Sequence, residues 1–160
     1  LTWPDDTVIV NLQGDEPLMP LENIQRVAAM LAETSSADIA TLMEPLDRAV
    51  ADEPSIVKVV ASETGRAQYF SRAAIPVHVA GREAAPLFRH VGLYAYRAGF
   101  LRQFVTWPPA SLELSESLEQ LRALAHDVHI QIELAPKPVP AGVDTEADLE
   151  AVRAHMAPGG

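Results

Sequence analysis

The chain has 160 residues, with 12 Lys and Arg against 22 Asp and Glu, so its formal net charge is −10. That balance lacks the basic face a nucleic-acid binder needs, and it disfavours an anionic membrane surface. The absence of cysteine removes disulfides, thiolate metal sites and Cys nucleophiles, and it suits a reducing, cytoplasmic setting.

A chain of this length with 48% apolar residues is expected to form one domain, residues 1–160. Its longest strongly apolar run, Val27 to Ala32, falls far short of the roughly 18 residues needed to cross a bilayer. No basic segment followed by an apolar run opens the sequence, so no signal peptide is expected. The chain opens on Leu1 and a strand pattern follows within a few residues. The expectation is therefore the back portion of a longer protein.

Thr7 to Leu12 is apolar on both alternating faces, which predicts a buried strand, parallel to its neighbours. Gln13-Gly14-Asp15-Glu16-Pro17 breaks that pattern with Gly and Pro. Leu21, Ile24, Val27, Ala28 and Leu31 recur at helical spacing, predicting an amphipathic helix over 21–33. Asp38 to Met43 reads as a second strand, giving a βαβ unit with a right-handed crossover. Ile56 to Ala61 and Arg66 to Ser71, separated by Ser-Glu-Thr-Gly, predict a β-hairpin. Residues 74–89 read as a loop and His90 to Arg97 as a strand. Ala98 to Val105 reads as a short helix, stopped before Pro108-Pro109. Leu112 to His126 predicts one long helix and Val128 to Leu134 a strand. Pro136, Pro138 and Pro140 make a stiff connector. Thr145 and Asp148 form a capping box for a last helix, 146–156. The whole is α/β, a mixed sheet with an antiparallel insertion over about 50–110.

Two loops follow predicted strands, and ligands bind at that edge of open α/β sheets. Asp15 in the first loop is a hard oxygen donor suited to Mg²⁺, or a turn aspartate before a proline. Asp144, in Gly142-Val143-Asp144-Thr145, is a second donor or a helix N-cap. Meeting across the sheet edge, the two could hold one Mg²⁺ that also binds phosphate, as nucleotidyl transfer requires. Arg72 offers a planar fork to a carboxylate or phosphate, or a surface ion pair. His90 and Tyr94 are four apart in a strand and share a side. Glu116 and Gln120 share one face of the long helix, either as a solvated stripe or as hydrogen-bonding groups for a sugar. His126 and His129 read as surface residues. No GxSxG, GxGxxG or GxxxxGK[ST] occurs, so a serine hydrolase and the usual dinucleotide and triphosphate loops are excluded from these residues.

Val8 to Pro17 resembles the central signature of the 3-deoxy-manno-octulosonate (KDO) cytidylyltransferases. Val57 to Val60 with Tyr69 to Pro76, Arg89 to Leu101, Trp107-Pro108-Pro109, Leu118 to Arg122 and Gly142 to Glu150 resemble further segments of that family in the same order. The resemblance implies a nucleotide-diphospho-sugar transferase-like (Rossmann-like) fold, incomplete at its N-terminus. It implies transfer of CMP from CTP to the anomeric hydroxyl of KDO, releasing pyrophosphate, for lipopolysaccharide biosynthesis. By the same resemblance Asp15 and Asp144 bind Mg²⁺ and Arg72 faces the sugar carboxylate. Gln13, His90, Tyr94, Glu116 and Gln120 line the sugar pocket, and the enzyme is a homodimer joined partly through the middle insertion. The family's opening strand and its phosphate-cradling Ile-Pro-Ala-Arg loop are not among these residues. The 160 residues alone are therefore expected to be inactive. An acylneuraminate-type cytidylyltransferase and a non-catalytic sugar-acid binding or dimerisation module are the alternatives.

Overall fold

A computed structural model of the protein describes residues 3–143 and 145–156. Asp144 and the tail after Met156 lie outside the described residues. Six strands form one mixed sheet among those residues: β1 (Val8–Asn11), β2 (Ile39–Pro45), β3 (Lys58–Ala61), β4 (Ala67–Ser71), β5 (Phe88–Arg97) and β6 (Ile130–Leu134). The order is β4-β3-β5-β2-β6, with β1 also paired to β5.

β5 is the central strand. β1 and β2 both pair with it antiparallel, through Val10↔Ala95 and Ala40↔Ala95. They therefore run in the same direction on opposite edges of β5. The expectation of a parallel first strand is corrected in its pairing, which is antiparallel to β5 among the described strands. The β1–α1–β2 order does place two strands running the same way, with β5 between them. A fully apolar run fits any strand covered on both faces, so its sequence does not choose the partner's direction. The one parallel pair among the described strands is β2 with β6. The predicted hairpin is β3–β4. Its turn needs Gly65, whose φ is +77° and where a Cβ would come within 2.6 Å of Gln131 Nε2. The Ile132 N–H donates to the Gly65 carbonyl at 2.7 Å and docks that turn onto β6.

Helices cover both faces of the sheet. α1 (Leu21–Glu33) buries Asn23, Val27, Met30 and Leu31, one stripe at helical spacing. It packs with Ala40, Leu42, Val91, Leu93 and Ala95 from β2 and β5. The buried Asn23 amide satisfies both its groups on Lys137: Nδ2 donates to the carbonyl at 2.9 Å, and Oδ1 accepts the N–H at 3.0 Å. That pins the proline connector against α1. On the other face α2 (Ala98–Phe104), α3 (Ser111–Glu116) and α4 (Gln120–Ala125) close over Ile39, Phe70, Tyr94, Ile130 and Ile132.

The single long helix predicted over 112–126 is two short ones. Ser117 takes a left-handed conformation, φ 54°, and ends α3. The Leu118 N–H then reaches back to the Glu113 carbonyl, the six-to-one closure of a Schellman turn. The break lets Leu118 and Leu121 enter the core. Across it, buried Glu113 pairs with Arg122, whose guanidinium also lies over Phe104 at 4.6 Å. That pair holds the Glu113 carboxyl below its usual pKa. The last helix, α5 (Glu146–Met156), starts as predicted. The Asp148 N–H donates to Thr145 Oγ1 at 3.3 Å, and the Thr145 N–H donates to Asp148 Oδ2 at 2.8 Å.

Candidate active site

One edge of β5 serves two strands. Tyr94 to Arg97 pair with β1, and Arg89 pairs with Lys58 of β3. β1 ends and β3 begins beside the stretch between, so the sheet opens there at the carboxyl end of β1. A cavity of about 190 Å³ occupies the opening. Asn11 and Gln13 line it from β1 and the following turn, Tyr94 and Tyr96 from β5, and Ser117 and Gln120 from the α3–α4 corner. The two tyrosine rings stack at 5.5 Å. Burial, first among the causes, raises the pKa of both phenols.

Of the sugar-pocket residues expected from the sequence, Gln13, Tyr94 and Gln120 share this cavity. His90 lies beside Tyr94, ring to ring at 5.2 Å, and edge-on to Phe70 at 5.1 Å. The shared side of His90 and Tyr94 is thus as expected. His90 itself is absent from the cavity wall. Burial, then the neighbouring Arg89, lowers its pKa to about 3, so the ring is neutral. Its Nε2 lies 3.0 Å from Thr41 Oγ1. That hydroxyl's single proton is shared between the carbonyls of Val91 at 3.1 Å and Leu93 at 2.9 Å, at the β5 bulge.

Glu116 and Gln120 do not share a helix face, because the Ser117 break separates them. Gln120 faces the cavity. Glu116 turns to the end of β4, where it accepts from Ser71 Oγ at 2.7 Å and the Arg72 N–H at 2.9 Å. These bonds, that of Arg72 first, hold its carboxyl below the usual range. Arg72 in turn donates from Nε to the Glu116 carbonyl at 2.8 Å and from Nη1 to the Pro54 carbonyl at 2.9 Å. Its Nη2 lies 3.5 Å from the carbonyl of Ser117, a cavity residue. Arg72 and Glu116 therefore form a unit joined to the cavity through Ser117, and neither lines the cavity itself. Asn11, Tyr96 and Ser117 were not singled out from sequence. The two-residue strand period could have found the first two, from Gln13 and Tyr94.

Asp15 is exposed in the turn after β1. The Val143 N–H donates to the Asp15 carbonyl at 2.8 Å, and a Cβ on Gly142 would sit 3.1 Å from the same oxygen. The turn after β1 and the segment leading into α5 thus touch, directly before position 144. A hard carboxylate on such a turn fits Mg²⁺. No three His, Cys, Asp or Glu side chains among the described residues gather as a metal cage. An ion here would complete its shell from phosphate and water, as Mg²⁺ usually does.

A family model described as cytidylyltransferase matches residues 1–130. The chain belongs to the cytidylyltransferase family. This cytidylyltransferase chain is 52% identical to the 3-deoxy-manno-octulosonate cytidylyltransferase of Hahella chejuensis, with 98% of this chain and 65% of that protein aligned. It is 47% identical to the enzyme of the same name from Alcanivorax borkumensis, with the same two shares aligned. Among solved structures it resembles CMP:2-keto-3-deoxy-manno-octonic acid synthetase complexed with CTP, with TM-score 0.85 and 39% identity. That match covers 93% of this chain and 61% of the synthetase. The fold expected from the sequence, a mixed sheet of the sugar-nucleotide transferase type, is the fold observed. The chain spans about 65% of the length of these curated relatives.

Proposed function

We propose that the full-length protein containing this chain is a KDO cytidylyltransferase. The observation that carries this reading is the likeness to the CTP-complexed synthetase over 93% of the chain. The anomeric hydroxyl oxygen of KDO attacks the α-phosphorus of CTP in line. A carbon–oxygen–phosphorus link forms, the α–β phosphoanhydride bond breaks, pyrophosphate leaves and the hydroxyl proton passes to solvent. No covalent enzyme intermediate forms, and the CMP-sugar serves lipopolysaccharide assembly in the cytoplasm. In this reading Gln13, Tyr94 and Gln120 bind the sugar, and Arg72 and Glu116 shape its carboxylate subsite. His90 supports Tyr94 from behind. Asp15 and Asp144 hold Mg²⁺, which neutralises phosphate charge when bound. Basic groups for a triphosphate are scarce in this chain, 12 Lys and Arg against 22 Asp and Glu, and its net charge of −10 opposes the approach of CTP.

Pyrophosphate release by the full-length protein, supplied with CTP and either KDO or sialic acid, tests the reading. Turnover with KDO and little with sialic acid is expected. A sialic acid preference, or no turnover with either, would refute it. The relatives reported above do not favour the acylneuraminate alternative or the binding-module alternative.

The protein is further proposed to act as a homodimer. Support comes from the segment between β4 and β5, where Val77 and Val79 are 80% and 59% exposed, an apolar surface suited to a second copy. Sedimentation equilibrium should return twice the chain mass, and Val77→Asp with Val79→Asp should return one. A wild-type monomer at micromolar concentration would dismiss the pairing.

A further inference from the structure

Lys58, at the start of β3, has no exposed surface. Its Nζ donates to the carbonyls of Glu53 at 2.9 Å, Ile56 at 2.6 Å and Arg72 at 2.5 Å. An ammonium has three N–H donors, so these bonds saturate it. Burying a cation is costly even when it is well solvated by carbonyls, and burial here pushes the Lys58 pKa down. An apolar side chain would fill a β-strand position at less cost. What the ammonium fastens explains its place.

The three carbonyls belong to two segments, the turn before β3 and the residue after β4. The same turn is held a second time by Arg72, through Nη1 to the Pro54 carbonyl. Arg72 is thus gripped at each backbone group: Glu116 accepts its N–H and Lys58 donates to its carbonyl. Its guanidinium uses Nε and Nη1 on the Glu116 and Pro54 carbonyls. Nη2 lies 3.5 Å from the carbonyl of Ser117, a residue that lines the cavity although Arg72 itself does not. Of five guanidinium donors, those left over can meet a ligand carboxylate.

We infer that Lys58 is a positioning residue for the acid-sugar subsite: its buried ammonium fixes the Arg72 peptide, and so the point from which the guanidinium meets the sugar carboxylate. The inference rests on the proposed reading of Arg72 as the carboxylate ligand. Lys58 touches no reacting atom; it acts through Arg72.

The test is a double-mutant cycle in the full-length protein, by steady-state kinetics with CTP and KDO. Lys58→Met keeps length and volume but cannot donate. It is expected to raise KM for KDO about tenfold or more, by analogy with loss of a charge-assisted hydrogen bond. KM for CTP should stay within about twofold, because the proposed reading gives Arg72 to the sugar carboxylate and not to the nucleotide. Lys58→Gln, which retains two N–H donors, should recover part of the loss. Added to Arg72→Ala, Lys58→Met should cost little more, since the group it positions is gone. An unchanged KM for KDO in folded Lys58→Met, or penalties that multiply with Arg72→Ala, would overturn the inference. So would failure of both Lys58 variants to fold, which would make the residue a structural one only. Absence of wild-type turnover with KDO would instead strike the functional reading itself.

Discussion

Asp15→Asn should lower kcat of the full-length protein by roughly 10²- to 10³-fold, the range seen when one electrostatic stabiliser of a reacting group is removed. Asparagine keeps the size and one oxygen but removes the negative charge that attracts a divalent cation. The side chain sits on an exposed turn, and the bond from Val143 goes to the Asp15 backbone carbonyl. The substitution should therefore leave the fold and its melting temperature nearly unchanged. Calorimetric titration with Mg²⁺ and CTP should lose most of its heat. Asp144→Asn is expected to behave alike, as the partner donor. Near wild-type turnover in either variant would refute the metal assignment.

His90 should make the protein acid-sensitive. Its folded pKa lies at about 3, below the ordinary 6.5 that applies once the chain unfolds. Between those values the unfolded chain binds a proton that the folded chain refuses, so stability rises with pH across this window. The contribution is fully present above 6.5 and is lost as pH falls towards 3. At about 1.4 kcal/mol per pKa unit, the loss amounts to a few kcal/mol at most. Glu113 and Glu116 add stability in the same sense, because their folded pKa values are lowered from 4.5. Theirs is fully present only well above 4.5 and is lost as pH falls through and below it, so between about pH 7 and pH 5 His90 carries most of the change. Urea midpoints measured from about pH 7 to pH 5 should fall for the wild type. His90→Gln should start lower, having lost the edge contact with Phe70, and then stay level. Parallel slopes for the two proteins would exclude the histidine as the cause.

Local structure was legible wherever neighbouring residues decide it. The stripe of α1 gave its bounds, 21–33. The Thr145–Asp148 box marked the start of α5. The β3–β4 hairpin was readable from Gly65 and its flanking strands. Pairing direction was not, because β1 depends on a strand more than 80 residues later, Asn11 pairing with Tyr94 and Val8 with Arg97. The break at Ser117 was hidden for a similar reason. No glycine announces it, and its cause is tertiary: Leu118 and Leu121 are needed in the core while Glu116 is drawn to the end of β4. Of the candidate site, Gln13, Tyr94 and Gln120 came with the family resemblance, and the structure gathers them in one cavity. Lys58 could not be singled out. A lysine in a β-branched run reads as the solvent-facing half of an alternation, and only the fold shows three carbonyls closing over it.

The central place of β5 governs the order in which the molecule can be assembled. β1 has β5 as its partner, and β2 has β5 and β6. Until Phe88 has been synthesised, the hairpin of β3 with β4 is the one pairing available among the described strands. Among the described strands, β1 and β2 therefore wait some fifty residues along the chain for β5. Non-local pairing of this kind is slow and leaves strand edges open to other chains. Arrival of one ten-residue strand then gives β1 and β2 a partner together, and β6 covers the other edge of β2 later still.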